Sequence, residues 1–222
     1  VALVACYGSQ VRGDARPDSD LDVFFIPASP DGAAATLQFV IDGVGCDFWP
    51  ISWERAERIA AFHEPLVSLI ADARVLYART DADRERFAGL QERARAFAAG
   101  SDPSARRARI DAAWEAACAA LGRAHLDDDP AAVRRAGQDL LGHVLDLLAL
   151  RNGVWYAAGW ARNLRQATTF PLRPDALEPC ARALVLGEDV GEVRRLCARL
   201  VAQAGAIRER EEAPPPPPSL SG

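Results

Sequence analysis

Residues 7–26 read "YGSQVRGDARPDSDLDVFFI", and this stretch decides the fold. A glycine-serine pair follows the apolar run "VALVACY" (1–7), and an Asp-Leu-Asp-Val sequence opens a second apolar run, 21–27, that ends at Pro27. Side chains two residues apart on a strand share a face. Asp20 and Asp22 therefore lie side by side, with Leu21 and Val23 on the opposite, apolar face. Two close carboxylates repel each other, and partial burial makes ionising both costlier. A hard divalent cation resolves that conflict; Mg²⁺ takes carboxylate oxygens together with phosphate oxygens of a substrate.

The flanking residues fit the same chemistry. Gly8 lets backbone approach a ligand closely, and Ser9, opening a short helix, offers a hydroxyl and backbone N–H groups to a phosphate. Arg12 or Arg16 supplies a planar positive fork, Gly13 permits a turn, and Ser19 leads into the carboxylate strand. Downstream, "TLQFVID" and "VGCDFWPIS" meet at Asp42-Gly43, a hairpin signal, and the second of them carries Asp47 among apolar residues. If that strand pairs beside 21–27, Asp47 completes a three-carboxylate cradle; on an edge strand it would simply face water. Asp-x-Asp alone is most often a surface acid pair. Its specificity comes from the order strand, Gly-Ser, Asp-x-Asp, hairpin, Asp.

Composition bounds the rest. The chain has 222 residues, half of them apolar and about a quarter charged, as in a soluble globular protein. A net charge of −5 disfavours a nucleic-acid partner, and all 26 basic residues are arginine, which removes lysine from the catalytic candidates. Five scattered cysteines and three histidines show no ligand spacing and read as small buried groups in a reducing, cytoplasmic setting. No apolar run approaches membrane-spanning length. The chain starts directly in "VALVACY", without an initiator methionine.

The first half reads as α+β: the strands above, a helix from Ser52, a strand over 73–78, and a helix over 82–98 capped by Thr80 or Asp81. From Gly100 the period is helical. Ile110, Trp114, Cys118 and Leu121 form one stripe. Pro130 opens one or two leucine-rich bundle helices, and two more helices follow before "APPPPPSLSG". The expectation is an α+β half that carries the chemistry (1–98), a helical bundle (104–212), and a Pro-rich disordered tail (213–222).

"GSQVRGDARPDSDLDV" resembles the signature of the DNA polymerase β-like nucleotidyltransferase superfamily. Within it, "CDFWPISWERAERIA" is similar to the small-molecule enzymes typified by kanamycin nucleotidyltransferase. The likeness is specific over about residues 7–60 and looser through the helical half. It implies an α+β fold in which a nucleotidyltransferase catalytic domain with a small mixed sheet flanked by helices (1–98) precedes a helical bundle domain that binds substrate (104–212). The activity it implies is transfer of a nucleoside monophosphate, usually AMP from ATP, to a hydroxyl of a small molecule such as an aminoglycoside-type antibiotic, with release of pyrophosphate. Carried across, Gly8, Ser9, Arg12 and Ser19 bind the nucleotide, and Asp20, Asp22 and Asp47 hold Mg²⁺. Asp111 and Glu115, four apart on one helix face, meet the acceptor, with Glu115 the general base. The resemblance also implies a homodimer and a helix ahead of Val1. Ala119 stands where the relatives carry a lysine, with Arg123 one turn on, which puts the aminoglycoside acceptor in doubt.

A different class remains open: antitoxin-type members of the superfamily modify or bind a partner protein. Those generally consist of the catalytic domain alone. The Arg-x4–6-His pattern of their helical nuclease partners is absent from residues 100–222, so the second half is not read as such a nuclease.

Overall fold

The computed structural model describes residues 1–17, 19–29, 36–157, 160–186 and 189–210. The expected Pro-rich tail, 213–222, lies outside the described residues. The described chain divides into two compact units, one formed by Val1–Phe97 with the stretch that begins at Trp155, the other by the remaining residues.

The first unit is built on a five-stranded mixed sheet. β1 (Leu3–Tyr7), β2 (Leu21–Ile26), β3 (Leu37–Ile41), β4 (Val44–Pro50) and β5 (Arg74–Ala78) lie in the order β3-β4-β2-β1-β5. β1 pairs antiparallel with β2 and β5, and β3 pairs antiparallel with β4. The one parallel pair joins β2 to β4, so Asp47 sits on an interior strand rather than at an edge. The β3–β4 turn falls at Asp42 and Gly43, with φ of 50° and 81°; two consecutive left-handed residues match the twist of the strands they join.

Alternation assigns the two faces of β2. Val23 is fully buried on one face; Phe24 and Ile26 are fully buried on the other. The second face continues into the main core with Leu3, Ala5, Ile51, Ile59, Ile70 and Phe87. Three helices of this unit contribute to that core: α2 (Trp53–Ala60), α3 (Ser68–Ala71) and α4 (Asp81–Ala98). Ser52 caps α2 by accepting from the Arg55 N–H at 3.0 Å. Thr80, not Asp81, caps α4: its hydroxyl accepts from the Asp83 N–H at 3.1 Å and donates to the Asp83 carboxylate at 2.8 Å.

The second unit is helical. α5 (Pro103–Leu126), α6 (Pro130–Arg151), α7 (Trp160–Ala167), α8 (Leu177–Leu186) and α9 (Val190–Glu209) follow in order. The leucine-rich run resolves into two helices, α6 and α7, separated at Asn152-Gly153. α6 is the central element, packed against α5, α8 and α9, with Leu140, Leu141, Val144, Leu147 and Leu148 fully buried.

The buried face of α5 differs from the expected stripe. Ile110 is fully buried, but its companions there are Ala117, Ala120 and Ala124, whereas Trp114, Cys118 and Leu121 are only half-buried. Small side chains let two helix backbones approach closely, so an alanine face can pack where bulkier residues must sit to the side. The buried Arg106 is satisfied by donating from both Nε and Nη2 to the Leu150 carbonyl near the end of α6.

Aspartate followed by proline starts both long helices. Asp102 accepts from Ala105, and Asp129 accepts from Ala131 at 3.1 Å and Ala132 at 3.3 Å. Asp129→Ala removes two acceptors from the first turn of the central helix and is expected to cost about 1 kcal/mol, the usual worth of such a cap. Urea unfolding monitored by circular dichroism checks it; an unchanged midpoint would remove the cap from the account of α6.

Candidate active site

The strand register assembles a polar row across one face of the sheet. Tyr7 pairs with Asp22, Asp22 with Asp47, and Asp47 with Gln38, so these four residues span β1, β2, β4 and β3 in line. Paired residues point to the same face. Asp20 lies two residues before Asp22 and thus also on that face. Along β2 and β4 the same face becomes aromatic within two residues, at Phe24 and Trp49. The row is therefore the polar end of a face whose other end is core.

Asp22 is half-buried, and its carboxyl is pushed above the usual carboxylate range. Burial is the main cause; the charges of Asp47 and Asp20 add to it, and only Arg12 opposes them. A cation placed at this row would be compensated by all three acids.

Two glycines make room for the carboxylates. A Cβ on Gly8 would lie 2.3 Å from Asp22 Oδ2, and one on Gly45 would lie 2.4 Å from Asp20 Oδ1. Asp22 thus leans toward the β1 side of β2 while Asp20 leans toward the β4 side. That divergence is the arrangement like charges take on one face. As they stand, no three His, Cys, Asp or Glu side chains among the described residues form a group able to hold a metal ion. The donor set itself, three carboxylates on one face with Arg12 alone opposing their effect on Asp22, fits a hard divalent cation.

Gly8 also shapes the turn before the row. Its φ of 79° with ψ of −154° is a conformation open essentially to glycine alone. α1 (Ser9–Arg12) is a single turn closed by the Val11 and Arg12 N–H groups donating to the Gly8 carbonyl. The Ser9 hydroxyl has no hydrogen-bond partner among the described residues. The Ser19 hydroxyl, by contrast, accepts from the Arg16 N–H at 2.8 Å, and the Ser19 N–H donates to the Arg16 carbonyl at 2.9 Å, a small closed loop at the entry to β2.

Arg12 is held from two sides. Its Nη1 donates to the Ala157 carbonyl at 2.7 Å, and its Nη2 lies 3.3 Å from Asp14. From there its charge reaches both Asp22 and Asp72. Asp72 accepts from the indole nitrogen of Trp155 at 3.0 and 3.2 Å, and burial pushes its carboxyl upward against that hydrogen bond and against the charges of Arg12 and Arg95. Trp155 itself packs on the first unit's core.

The other two expected residues lie in the second unit, on α5. Asp111 is bound by Arg208 at 2.7 Å and by Arg107 at 3.1 Å. Burial pushes its carboxyl up, but the hydrogen bonds from Arg208 and Arg107 outweigh that and hold it below the usual range. Glu115 is exposed, and Arg123 pairs with Asp139 at 3.3 Å. A recess of about 310 Å³ beside that pair is lined by Asp127, Asp129 and Arg135 as well, and Asp127 and Asp129 are engaged in turn and capping hydrogen bonds at the α5–α6 connection.

Three residues of interest escaped the sequence reading. Asp72 lies after α3, a four-residue helix with no periodic signal. Asp146 sits inside the leucine-rich α6, where burial alone pushes its carboxyl up to about 7. Tyr7 ends an apolar strand, and its place in the row needs the β1–β2 register. Burial pushes its hydroxyl up to about 12, opposed by the Trp49 hydrogen bond and aided by the charges of Asp22 and Asp47, so it is protonated at neutral pH.

Comparison with known proteins gives two family matches that together span most of the chain. The KNTase C-terminal domain model matches residues 86–207, more than half of the chain, and the Nucleotidyltransferase domain model matches residues 1–86. No curated protein matches the chain significantly. Among solved structures, a nucleotidyltransferase-like protein from Exiguobacterium sibiricum 255-15 aligns over 94% of this chain and 68% of that one, at 13% identity and a TM-score of 0.47. No helix among the described residues is long and apolar enough to cross a membrane.

Proposed function

We propose, on the premise that this chain belongs to the KNTase C-terminal domain family of nucleotidyltransferases, that it transfers AMP from ATP to a hydroxyl of a small molecule. The observation that carries this reading is the parallel register that sets Asp22 beside Asp47, with Asp20 on the same face and the Gly8-Ser9 turn against Asp22.

In this reading Asp20, Asp22 and Asp47 hold Mg²⁺, which when bound neutralises phosphate charge and favours displacement at phosphorus. The Gly8 backbone and the Ser9 hydroxyl meet the triphosphate, consistent with a serine that has no protein partner among the described residues. The charge of Arg12 opposes the burial and the acidic neighbours that push the Asp22 carboxyl up, and Ser19 fixes the approach of the chain to β2. The acceptor oxygen forms its bond to the α-phosphorus as the bond from that phosphorus to the bridging oxygen breaks, and pyrophosphate leaves. The acceptor's proton would go to a general base, the role that the family resemblance assigns to Glu115. Asp111, already bound to Arg107 and Arg208, has to give up those pairs to meet an acceptor, so Glu115 is the stronger candidate of the two.

Incubation with ATP labelled at the α-phosphate, Mg²⁺ and a panel of hydroxylated antibiotics tests the reading: a labelled acceptor supports it, and none across the panel counts against an antibiotic acceptor. Glu115→Gln is expected to lower turnover by about 10²-fold, within the usual worth of general base catalysis, while nucleotide binding persists. Full activity in that variant would remove Glu115 from the mechanism.

A further inference from the structure

The Tyr7 hydroxyl is fixed on one side and unspent on the other. The indole nitrogen of Trp49 donates to it at 2.7 Å. Indole can only donate, so the phenol oxygen accepts and its own proton points elsewhere. Among the described residues no acceptor takes that proton. The two rings meet edge-on, centroids 6.2 Å apart at 79°, and Tyr7 packs across β2 on Phe24 at 6.0 Å. Trp49 is steadied in turn by the Arg55 guanidinium, 5.5 Å from its ring centroid, and Arg55 is tied to Glu64 at 3.1 Å.

The hydroxyl therefore has a defined place, at the border between the carboxylates and the aromatic core. Phe24 packs against Phe87 immediately beyond it, with ring centroids 5.9 Å apart and the planes tilted by 46°. The Trp49 indole accounts for the acceptor side of this half-buried hydroxyl only, so its proton is open to a ligand or to solvent. The row beside it is acidic, so an anion can enter only together with a cation that the carboxylates bind. A polyphosphate bound to a divalent cation meets that condition, and its oxygens are the strongest acceptors such a donor could meet.

We propose that Tyr7 is a nucleotide-binding residue, its hydroxyl oriented by Trp49 so that the proton is donated to a phosphate oxygen of the nucleotide. This rests on the reading that the carboxylate row binds the nucleotide's phosphates, and assigns to that site a donor and an orienting indole beyond the acidic residues and the Gly-Ser turn.

The test titrates wild type, Tyr7→Phe and Trp49→Phe with a non-hydrolysable ATP analogue and Mg²⁺ by calorimetry, with thermal unfolding measured in parallel. Loss of a hydrogen bond to a charged group weakens binding by about 10- to 100-fold, which is the result expected for Tyr7→Phe. Trp49→Phe keeps the donating hydroxyl and removes more buried surface. It is expected to weaken binding by only about threefold while lowering the unfolding temperature more than Tyr7→Phe does. The double variant should bind as weakly as Tyr7→Phe alone. Affinity of Tyr7→Phe within about twofold of wild type, or a larger loss of affinity in Trp49→Phe than in Tyr7→Phe, overturns the assignment and leaves the pair as packing. Wild-type protein that binds no nucleotide overturns the reading of the row itself, and is distinguished from the first outcome by the wild-type titration.

Discussion

Asp22→Asn is expected to lower nucleotidyl transfer by about 10³-fold or more, the scale set by removing a preorganised charge from a phosphoryl-transfer site. Asp22 is the hub of the row, with Asp47 beside it across the parallel pair and Asp20 two residues earlier. The same substitution is expected to stabilise the protein in the absence of divalent cations. Burial, Asp47 and Asp20 raise the folded-state pKa of Asp22 above its unfolded value. The folded state therefore holds the proton more tightly, and wild-type stability falls as pH rises from the unfolded pKa through the folded one. Above that window the deficit is fully present. Asparagine, always neutral, removes it. Unfolding temperatures at neutral pH in EDTA should thus rank Asp22→Asn above wild type, and the difference should shrink as pH falls below the ordinary carboxylate range. Adding Mg²⁺ with an ATP analogue should reverse the order, because ligand that binds only the folded wild type stabilises it by mass action. Turnover within about tenfold of wild type would exclude Asp22 from the site, and a variant less stable than wild type in EDTA would show that its charge is compensated in the folded protein.

Much of this site was legible in the sequence because strand alternation is a local rule. The spacing of Asp20 and Asp22 fixes their common face without knowledge of any partner strand, and Asp42-Gly43 fixes the hairpin whose second strand carries Asp47. An α+β half followed by helices was legible for the same reason, from strand-like runs giving way to period-3.6 runs at Gly100; the mixed character of the sheet was implied by the family resemblance alone. Register between distant segments is a different matter. That Asp22 pairs with Asp47 rather than with a neighbour, and that Tyr7 joins the row, depends on β1–β2 and β2–β4 pairings that no local pattern specifies. The buried face of α5 was misread because large apolar residues dominate a periodicity argument. Close helix packing instead selects Ala117, Ala120 and Ala124. The hydrogen bond from Trp155 to Asp72 links residues 83 positions apart and leaves no trace in either local sequence.

Gly8→Ala carries the second large effect, expected to lower turnover by about 10³-fold through the position of Asp22 rather than through chemistry of its own. The added methyl group would lie 2.3 Å from Asp22 Oδ2, 3.3 Å from its Cγ and 3.5 Å from its Cβ. Rotating the carboxylate relieves the first contact; the 3.3 Å approach to Cγ is tight while the 3.5 Å approach to Cβ is an ordinary contact, so it is the carboxylate that has to leave the orientation the row gives it. The backbone is a separate obstacle. With φ at 79° and ψ at −154°, alanine is strained by about 1–3 kcal/mol, and relief would unwind the turn that leads into α1. The two causes separate experimentally. Strain lowers stability with or without ligand, whereas a displaced Asp22 lowers the response to Mg²⁺ and ATP analogue. A variant destabilised by about that amount yet still stabilised by Mg²⁺-nucleotide as wild type is would mean that Asp22 keeps its place and that Gly8 serves the backbone alone. Loss of the ligand response at a temperature where the variant remains folded is the expected outcome. Gly45→Ala provides the matched comparison. Its Cβ would meet Asp20 Oδ1 at 2.4 Å, but no left-handed backbone is involved, so it should impair the carboxylates with little of the strain.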